Sequence, residues 1–381
     1  MANLKDVVKS SIFSLYSLFF NVGALLGVRE DRVGLVSMHN AHFSDGLGEV
    51  EAELKYRTAR GGKEYEFLHI ERTDLDDIKT ALRFVTIDAL KLGRAKYIFL
   101  NDNFMALAKC HPNQATVITQ LWHGQGAFKK FGFDITVPET IRRREVLANE
   151  KLSYVVCSSS CVRDIYAKAF GVPQSKVLNV GSPNSDYYFR RLEKETARDH
   201  LYELYPELEG KYVVLYAPTF REDSEADSKI LDMFDAKALR EALGPDVEIL
   251  IRLHPQVHEA NIRDRSLGAF DVTDYDNVNE LCLISDMLIT DYSSICMDFA
   301  IQNKPIVFYA YDLENYKGAR DFYFNYEEYV PGPIAHDQAS LIDAVKASKA
   351  EPKPMDAFRR FNFDEPDGNA TSRLIDIVIG K

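Results

Sequence analysis

The chain has 381 residues, of which 46% are apolar, and a formal net charge of −12 at pH 7. This length favours two domains over a single hydrophobic core. The acidic balance argues against a general nucleic-acid-binding protein, which would carry a basic domain, so we predict no nucleic-acid partner. The chain has five cysteines, and their odd number and apolar sequence contexts indicate a reduced, intracellular protein. No second pair completes a zinc site with Cys157 and Cys161, so we expect structural thiols.

The first predicted element is an uncharged segment, Ser10–Val28, with lysines before it and arginines after it. Its length is close to the roughly 20 residues that a membrane span requires. However, Ser14, Ser17 and Asn21 lower its hydrophobicity, and its apolar side chains recur at helical spacing. We therefore expect residues 1–28 to form an interfacial membrane helix, with a buried first helix and a true span as the alternatives.

The rest of the chain alternates predicted strands with predicted helices. Several strands are continuous apolar runs, as expected for parallel strands covered on both faces. The pattern predicts an α/β fold with two Rossmann-like, doubly wound domains at 29–200 and 201–355 and a C-terminal closing helix at 356–381. We place the domain junction within Tyr187–Gly210. The predicted strands are Val33–Met38, Tyr65–His69, Tyr97–Asn101, Val117–Trp122, Tyr154–Ser158, Val177–Val180, Tyr212–Ala217, Glu248–Leu253, Phe270–Val272, Met287–Thr290 and Ile306–Tyr309.

Polar motifs directly follow nearly every predicted strand. In an open α/β sheet, ligands bind at the carboxyl ends of the strands. We therefore expect these motifs to bind substrate. They are Ser37–Asp45, His123 with Gly124, and Gly181, Ser182 and Asp186 in the first half, and Thr219 with Arg221, Arg252 with His254, Tyr275, and Asp291–Ser294 in the second half.

The segment around His123 is a candidate catalytic loop. A histidine with an ordinary pKa of about 6.5 suits proton abstraction at neutral pH, and Gly124 permits close backbone approach. Lys129 and Lys130 could meet phosphates. The alternative is a histidine bonded to a carbonyl beside two solvated lysines. Asp45 is a second candidate base.

Two strand ends in the second half carry cationic side chains. Arg252 and His254 are two residues apart, so they share a face where the strand ends, and both suit a diphosphate. Thr219 and Arg221 follow another strand in the same way, and Tyr275 follows a third. A salt bridge at the sheet edge is the alternative for the arginines.

The turn Asp291–Ser294 leads from a buried strand into a predicted helix, Ile295–Gln302. Backbone N–H groups and hydroxyls at a helix start suit a phosphate, so Asp291, Ser293 and Ser294 are predicted to bind one, together with Asp298 in the helix. Ordinary helix capping is the alternative.

Other motifs are less specific. Asp-x-Asp occurs at Asp74–Asp76 and at Asp274–Asp276, and such a pair can hold a divalent metal, but the pattern is short, so we predict no metal site. Arg142–Arg144 could face anionic lipid or a pyrophosphate, or form a solvated helix face.

Between Thr119 and Ile334 the sequence resembles the CDP-glycerol:polyol glycerophosphotransferases of bacterial wall teichoic acid synthesis. The resemblance implies the GT-B architecture, with two Rossmann-like domains and an inter-domain cleft, and in size the chain looks like the short members of the family. The matching segments are TQLWHGQGAFKKFG, VGSPNSD, VLYAPTFRED, ILIRLHP, SDMLITDYSSICMDFA, NKPIVFYAYDLENY and FYFNYEEYVPGPI.

The resemblance also implies functional roles. The C-terminal domain would bind CDP-glycerol, with Arg252 and His254 on the diphosphate and with Thr219 and the serine hydroxyls against it, while His123 would be the catalytic base. The expected reaction is transfer of glycerol phosphate to a hydroxyl of undecaprenyl-diphosphate-linked N-acetylmannosaminyl-N-acetylglucosamine, with release of CMP and no cofactor. Addition of second or later units, a ribitol donor, and a nucleotide-sugar glycosyltransferase or epimerase remain as alternatives. The expected location is the cytoplasmic face of the cell membrane, as a peripheral protein, and the oligomeric state stays open.

Overall fold

A computed structural model of the protein describes residues 4–38, 45–71, 77–221, 230–254, 268–319 and 321–380. The chain divides into two compact units. Unit 1 comprises Met1–Ala127, Phe131–Asp186 and Pro366–Lys381, and unit 2 comprises Phe128–Lys130 and Tyr187–Glu365. The division therefore falls at the start of the predicted junction segment rather than at 200/201, and the end of the chain returns to unit 1.

Unit 1 is built on a six-stranded sheet of order β2-β1-β3-β4-β5-β6, in which every pair is parallel. The carboxyl ends of all six strands therefore lie at one edge of the sheet. The strands are β1 (Arg29–Ser37), β2 (Glu66–Glu71), β3 (Ala95–Leu100), β4 (Val117–Gln120), β5 (Tyr154–Cys157) and β6 (Val177–Asn179).

Helices connect these strands, as parallel pairing requires. A π-helical turn, Phe84–Asp88, joins α3 to α4. The helices of unit 1 are α1 (Leu4–Leu25), α2 (Gly46–Ala59), α3 (Ile78–Arg83), α4 (Ala89–Gly93), α5 (Glu139–Asn149), α6 (Arg163–Phe170), α7 (Pro183–Asp186) and, at the end of the chain, α16 (Ala370–Val378). Short 3₁₀ turns lie at Met105–Lys109, Gly132–Asp134 and Gln174–Lys176.

Helix α1 has one buried side and one exposed side. Tyr16 and Phe20 are fully buried, and the Tyr16 ring lies 4.9 Å from Phe84 and 5.6 Å from Phe104. The opposite side exposes a row of large apolar side chains, namely Ile12, Leu15, Leu18, Val22 and Leu25. Among the helices that the structure describes, none combines the length and apolarity needed to cross a membrane.

Unit 2 contains a second six-stranded parallel sheet, of order β12-β11-β10-β7-β8-β9. Its strands are β7 (Tyr212–Tyr216), β8 (Val247–Ile251), β9 (Phe270–Asp271), β10 (Met287–Thr290), β11 (Ile306–Tyr309) and β12 (Ile334–Ala335). Its helices are α8 (Arg191–Leu204), α9 (Ala236–Leu243), α10 (Val278–Ile284), α11 (Ile295–Ile301), α12 (Leu313–Ala319), α13 (Tyr326–Tyr329), α14 (Gln338–Ala350) and α15 (Asp356–Phe363). Further 3₁₀ turns lie at Tyr187–Phe189 and Pro206–Leu208.

The central strands of unit 2 are covered on both faces. Leu215 and Leu288 belong to one buried cluster, whereas their neighbours Val214 and Ile289 belong to another. Successive residues of a strand point to opposite faces, so both faces of this sheet carry a core. This burial explains why the strands read as continuous apolar runs.

All the strands predicted from the sequence are present, and the prediction of an α/β fold with two parallel sheets is confirmed. β10 and β11 have the predicted bounds, whereas β1 begins earlier, at Arg29. β4 ends at Gln120 rather than at Trp122, because Trp122 adopts a φ of 63°, which lies outside the strand region. The two-residue strand β12 was missed because so short a segment has no recognisable period.

Candidate functional site

His123 lies just past β4, at the carboxyl edge of the unit 1 sheet. Its Nδ1 is 3.2 Å from the backbone oxygen of Asn101, and its ring lies 4.2 Å from that of Trp122. A carbonyl oxygen can only accept a hydrogen bond, so this contact favours the tautomer with the proton on Nδ1. In that tautomer Nε2 carries the lone pair that a general base needs. The sequence alternative, a histidine bonded to a carbonyl, is thus compatible with the catalytic one.

Asn101 connects the two candidate bases. It directly follows β3, and its Nδ2 donates to Asp45 Oδ2 at 2.6 Å and to Ser37 Oγ at 3.0 Å. Its backbone oxygen contacts His123, while the amide of Met38 donates to Asn101 Oδ1. Sequence reasoning did not single out Asn101, which it placed as the last residue of the predicted strand Tyr97–Asn101.

Asp45 is buried and caps a helix. It is 8% exposed, and its Oδ1 accepts from the amide of Leu47 in the first turn of α2. Since its other oxygen accepts from Asn101, both carboxylate oxygens are bonded within unit 1. This arrangement favours a structural role for Asp45 over its predicted role as a base. Residues 39–44 of the predicted Ser37–Asp45 loop lie outside the described residues.

The loop after His123 is held by two hydroxyl groups. The Tyr166 hydroxyl donates to the backbone oxygens of Gly124 and Gly126 at 2.8 and 3.1 Å. The Gly126 amide in turn donates to Ser158 Oγ at 2.9 Å. Gly126 has a φ of 63°, in the left-handed region that favours glycine. The loop geometry that presents His123 is therefore set from neighbouring elements of the same unit.

Asp186, a predicted substrate-binding residue, caps a helix in the structure. It is 4% exposed and accepts hydrogen bonds from the amides of Ala370 and Thr371 at 3.0 and 2.7 Å. It therefore caps the first turn of α16, where the chain returns to unit 1. Burial raises the pKa of Asp186. Gly181, with a φ of 84°, and Ser182, whose carbonyl accepts from Ser185, form the turn before α7.

Lys129 and Lys130 belong to unit 2. Lys129 forms a β-bridge with Phe322, and its Nζ lies 5.4 Å from the centre of the Tyr316 ring. Lys130 forms a partly exposed ion pair with Asp321 at 3.1 Å. This ion pair competes with the predicted contact of Lys130 with phosphate.

Arg252 stands at the carboxyl end of β8. Its Nη2 donates to the backbone oxygen of Tyr275 at a long 3.4 Å, and its Nε is buried. Among the residues that the structure describes, no hydrogen-bond partner is found for that Nε and no carboxylate lies within ion-pair distance of the guanidinium. Burial lowers the pKa of Arg252. The side chain is thus a partly desolvated cation that an anion would stabilise.

Arg221 was predicted to bind substrate, and in the structure its guanidinium pairs with two carboxylates. Its guanidinium pairs with Asp291 at 2.9 Å and with Asp312 at 2.7 Å, and the residue is 8% exposed. Asp291, which is 1% exposed, also accepts from the amide of Thr219 at 2.8 Å. These ion-pair contacts compete with the predicted phosphate contacts of Arg221 and Asp291. Sequence reasoning missed Asp312, although it lies just beyond β11.

The hydroxyl groups of the same edge differ in their exposure. Ser293 is half-buried and Ser294 is exposed where α11 begins. Thr219 Oγ1 is buried, and within the described part of the chain it has no hydrogen-bond partner. Asp298 is half-buried in the first turn of α11. Burial raises the pKa of Tyr188, and the negative charge of Asp298 raises it further.

His254 and Tyr275 complete the predicted set. His254 is exposed and lies 4.7 Å from the Phe220 ring. The Tyr275 hydroxyl donates to Glu280 and lies 2.8 Å from His200 Nδ1. Tyr275 therefore contacts Arg252 through its backbone oxygen, while its predicted substrate-binding hydroxyl is bonded within unit 2.

No metal site was predicted from the two Asp-x-Asp motifs, Asp74–Asp76 and Asp274–Asp276. In the described part of the chain, no group of three or more His, Cys, Asp or Glu side chains could hold a metal ion. Asp274–Asp276 lies in that part, whereas Asp74–Asp76 lies outside the described residues.

Known proteins match this chain over nearly its whole length. The model of the family described as CDP-Glycerol:Poly(glycerophosphate) glycerophosphotransferase matches residues 18–380. The teichoic acid glycerol-phosphate transferase of Staphylococcus aureus is 35% identical over 360 residues, which cover 90% of this chain and 89% of that protein. The teichoic acid ribitol-phosphate primase of Bacillus spizizenii is 30% identical, and the match covers 98% and 97%. The chain spans only 59% of the teichoic acid poly(ribitol-phosphate) polymerase of the same organism, at 30% identity.

Solved structures support the fold. The wall teichoic acid polymerase TagF aligns with a TM-score of 0.77 and 23% identity, covering 98% of this chain and 95% of that chain. The UDP-GlcNAc 2-epimerase of Neisseria meningitidis aligns with a TM-score of 0.59 and 14% identity, covering 92% and 100%. These likenesses confirm the predicted GT-B-like fold class. The family match over most of the length shows that the chain belongs to the CDP-glycerol:poly(glycerophosphate) glycerophosphotransferase family of transferases.

Proposed function

We propose that this protein transfers glycerol phosphate from CDP-glycerol to a hydroxyl of undecaprenyl-diphosphate-linked N-acetylmannosaminyl-N-acetylglucosamine, with release of CMP. Family membership supports the donor, as do relatives named teichoic acid glycerol-phosphate transferase and primase. A structure of TagF soaked with CDPG is consistent with this donor class.

The observation that carries the donor assignment is the state of Arg252. A guanidinium that is partly buried, and that has no carboxylate partner among the described residues, lies at the sheet edge where α/β proteins bind ligands. A diphosphate would supply the missing negative charge and accept the hydrogen bonds of the planar fork. Arg252 would then also stabilise the charge that develops on the phosphoryl oxygens.

Neighbouring groups at this edge extend the proposed donor site. His254 follows Arg252 by two residues, and Thr219 Oγ1 is a buried donor without a partner in the described part of the chain. The hydroxyls of Ser293 and Ser294 stand at the end of β10, which neighbours β7 in the sheet. We propose that these groups hold the diphosphate, so that binding positions the phosphorus for attack.

His123 is the proposed general base. Its Nε2 would take the proton of the acceptor hydroxyl as the hydroxyl oxygen attacks the phosphorus that carries glycerol. The bond from that phosphorus to the CMP oxygen breaks, and CMP leaves with the electron pair. The contact of Nδ1 with the Asn101 carbonyl would hold the tautomer and stabilise the imidazolium that forms.

The exposed apolar side of α1 supports the proposal that the protein binds a membrane surface, where a lipid-linked acceptor would lie. Leu18 is 58% exposed and Leu25 is 87% exposed, as expected for a helix that lies in a bilayer interface. Apolar side chains of other unit 1 helices are exposed as well, including Ile78 and Leu82 of α3 and Leu147 of α5. We propose that this apolar surface keeps the enzyme at the cytoplasmic leaflet, beside a polyprenyl-linked acceptor.

A cation accompanies this surface. The Arg144 guanidinium of α5 lies 5.7 Å from the centre of the Phe13 ring of α1, whereas Arg143, although largely exposed, pairs with Glu139 at 2.8 Å. Each basic side chain near an anionic bilayer adds on the order of 1 kcal/mol of attraction. The proposed binding therefore combines apolar insertion with attraction to anionic lipid.

The test is to incubate the purified protein with CDP-glycerol and a short-chain lipid disaccharide, and to measure CMP and the mass of the acceptor. One added glycerol phosphate per CMP supports priming, whereas a ladder of masses would indicate that later units are added. Phosphorus retained on the acceptor separates phosphotransfer from glycosyl transfer or epimerisation. CDP-ribitol should be compared, because two of the relatives are named for ribitol phosphate. Absence of CMP release with either donor would refute the proposal.

A further inference from the structure

Arg221 and Arg252 stand at neighbouring strand ends but differ in their surroundings. All three nitrogens of the Arg221 guanidinium are hydrogen-bonded within unit 2. Nε and Nη2 donate to the two oxygens of Asp312 at 2.7 and 2.9 Å, and Nη2 also donates to Asp291 at 2.9 Å. Nη1 donates to the Thr219 carbonyl at 2.5 Å. A guanidinium so engaged is poorly placed to bind a substrate phosphate directly.

These contacts connect three adjacent strands. Asp312 follows β11, Asp291 follows β10, and Arg221 follows β7, and these strands are neighbours in the sheet. Asp291 also accepts from the backbone amides of Thr219 and Tyr292, and the Tyr292 hydroxyl donates to Asp312 at 2.9 Å. The side chains of Arg221, Asp291 and Asp312 thus form one network, in which Arg221 and Asp291 are buried and Asp312 is half-buried. This network fixes the backbone that follows β7 and β10.

Aromatic rings enclose the network. The Arg221 guanidinium lies 5.2 to 5.6 Å from the ring centres of Tyr292, Tyr311 and Tyr316. Such rings exclude water while they stabilise the cation through their faces. With water excluded, loss of one partner would leave a buried charge without compensation, so the arrangement resists local rearrangement.

We propose that Arg221 is a positioning residue for the donor site. By bridging Asp291 and Asp312, it fixes the loops that follow β7 and β10, which carry the hydroxyls assigned to the diphosphate. The inference rests on the proposed function, because those hydroxyls matter only if the site binds CDP-glycerol. Arg221 itself would act through the loops without touching the donor.

The substitutions Arg221→Lys and Arg221→Met test this role. Lysine keeps the positive charge but lacks the planar fork that spans two carboxylates, so we expect both variants to be impaired. A displacement of about 1 Å in binding groups can cost about 10²-fold in rate, and kcat/KM for CDP-glycerol should fall by about that factor well below the unfolding temperature. Arg240→Met is the matched control, because Arg240 pairs with the buried Glu248 near the amino end of β8. It should lose thermal stability and keep kcat/KM.

A double-mutant cycle separates positioning from direct contact. If Arg221 acts through the loop hydroxyls, the loss caused by Arg221→Lys should shrink in a background of Thr219→Val and Ser293→Ala. Independent, additive losses would mean direct contact with the donor and would overturn the inference. A lower melting temperature with unchanged kcat/KM would equally overturn it, because the role would then be structural only. A wild-type protein that releases no CMP would instead refute the proposed function, and the inference with it.

Discussion

Arg252→Met should make the protein more stable while it weakens donor binding. The native guanidinium is partly desolvated, which lowers its pKa, and the nearby charge of Asp276 offsets this effect only in part. Replacing it by an apolar side chain of similar length removes that desolvation cost. We expect the free energy of unfolding without ligand to rise by about 0.5–2 kcal/mol, the range typical of such stabilising substitutions.

The effect on the donor should have the opposite sign. A hydrogen bond to a charged group contributes about 1.5–3 kcal/mol, so loss of one such bond predicts a decrease in CDP-glycerol affinity of about 10–100-fold. Saturating donor at about 100 times Kd should stabilise the wild-type protein by about 2.7 kcal/mol. The same concentration should stabilise the variant much less.

Thermal and urea unfolding, with and without CDP-glycerol, measure both effects, and isothermal titration gives the affinity. Arg240→Met provides the contrast, since it leaves Glu248, which is 4% exposed, without its ion-pair partner. That control should lower stability and keep donor affinity. An Arg252→Met protein that is less stable than wild type, or that binds CDP-glycerol normally, would refute the proposal that Arg252 is a partly desolvated cation that binds the diphosphate.

Three further predictions concern His123, the exposed side of α1 and Lys304. His123→Ala should lower turnover by roughly 10²–10⁴-fold with little change in donor affinity, and near-normal turnover would move the base role to Asp45. Leu18→Glu with Leu25→Glu should reduce sedimentation with anionic vesicles while transfer to a soluble acceptor analogue persists; undiminished sedimentation would contradict the membrane surface proposed for α1. Burial lowers the pKa of Lys304 from 10.5 to about 8, so the unfolded chain binds more protons between these values and this group should make stability rise with pH there. Its full effect is about 3 kcal/mol, and pH-dependent denaturation of Lys304→Met should lack that rise; a curve parallel to wild type would show that the amine is not desolvated.

The residues that follow the strands could be found from the sequence, but their roles could not. Arg221 and Arg252 both come just after a buried strand, and nothing local distinguishes them. The difference arises because Asp291 and Asp312, from strands far along the chain, meet the first guanidinium and not the second. Asp186 was predicted in the segment that follows a strand, and it lies at the end of α7, where its partners are amides in α16 that only the folded chain brings near.

What the sequence by itself determined was the order of strands and helices, the family, and the loop that carries His123. Continuous apolar runs and the residues that interrupt them are local properties, and short runs of this kind are typical of strands that are buried on both faces of a sheet. Only the tertiary structure decided which charged groups neutralise each other, that Asn101 connects Asp45 with His123, and that the last helix returns to unit 1. These outcomes depend on which distant backbone segments become neighbours, and a buried charge or amide is satisfied by whatever partner the packing places within hydrogen-bond distance.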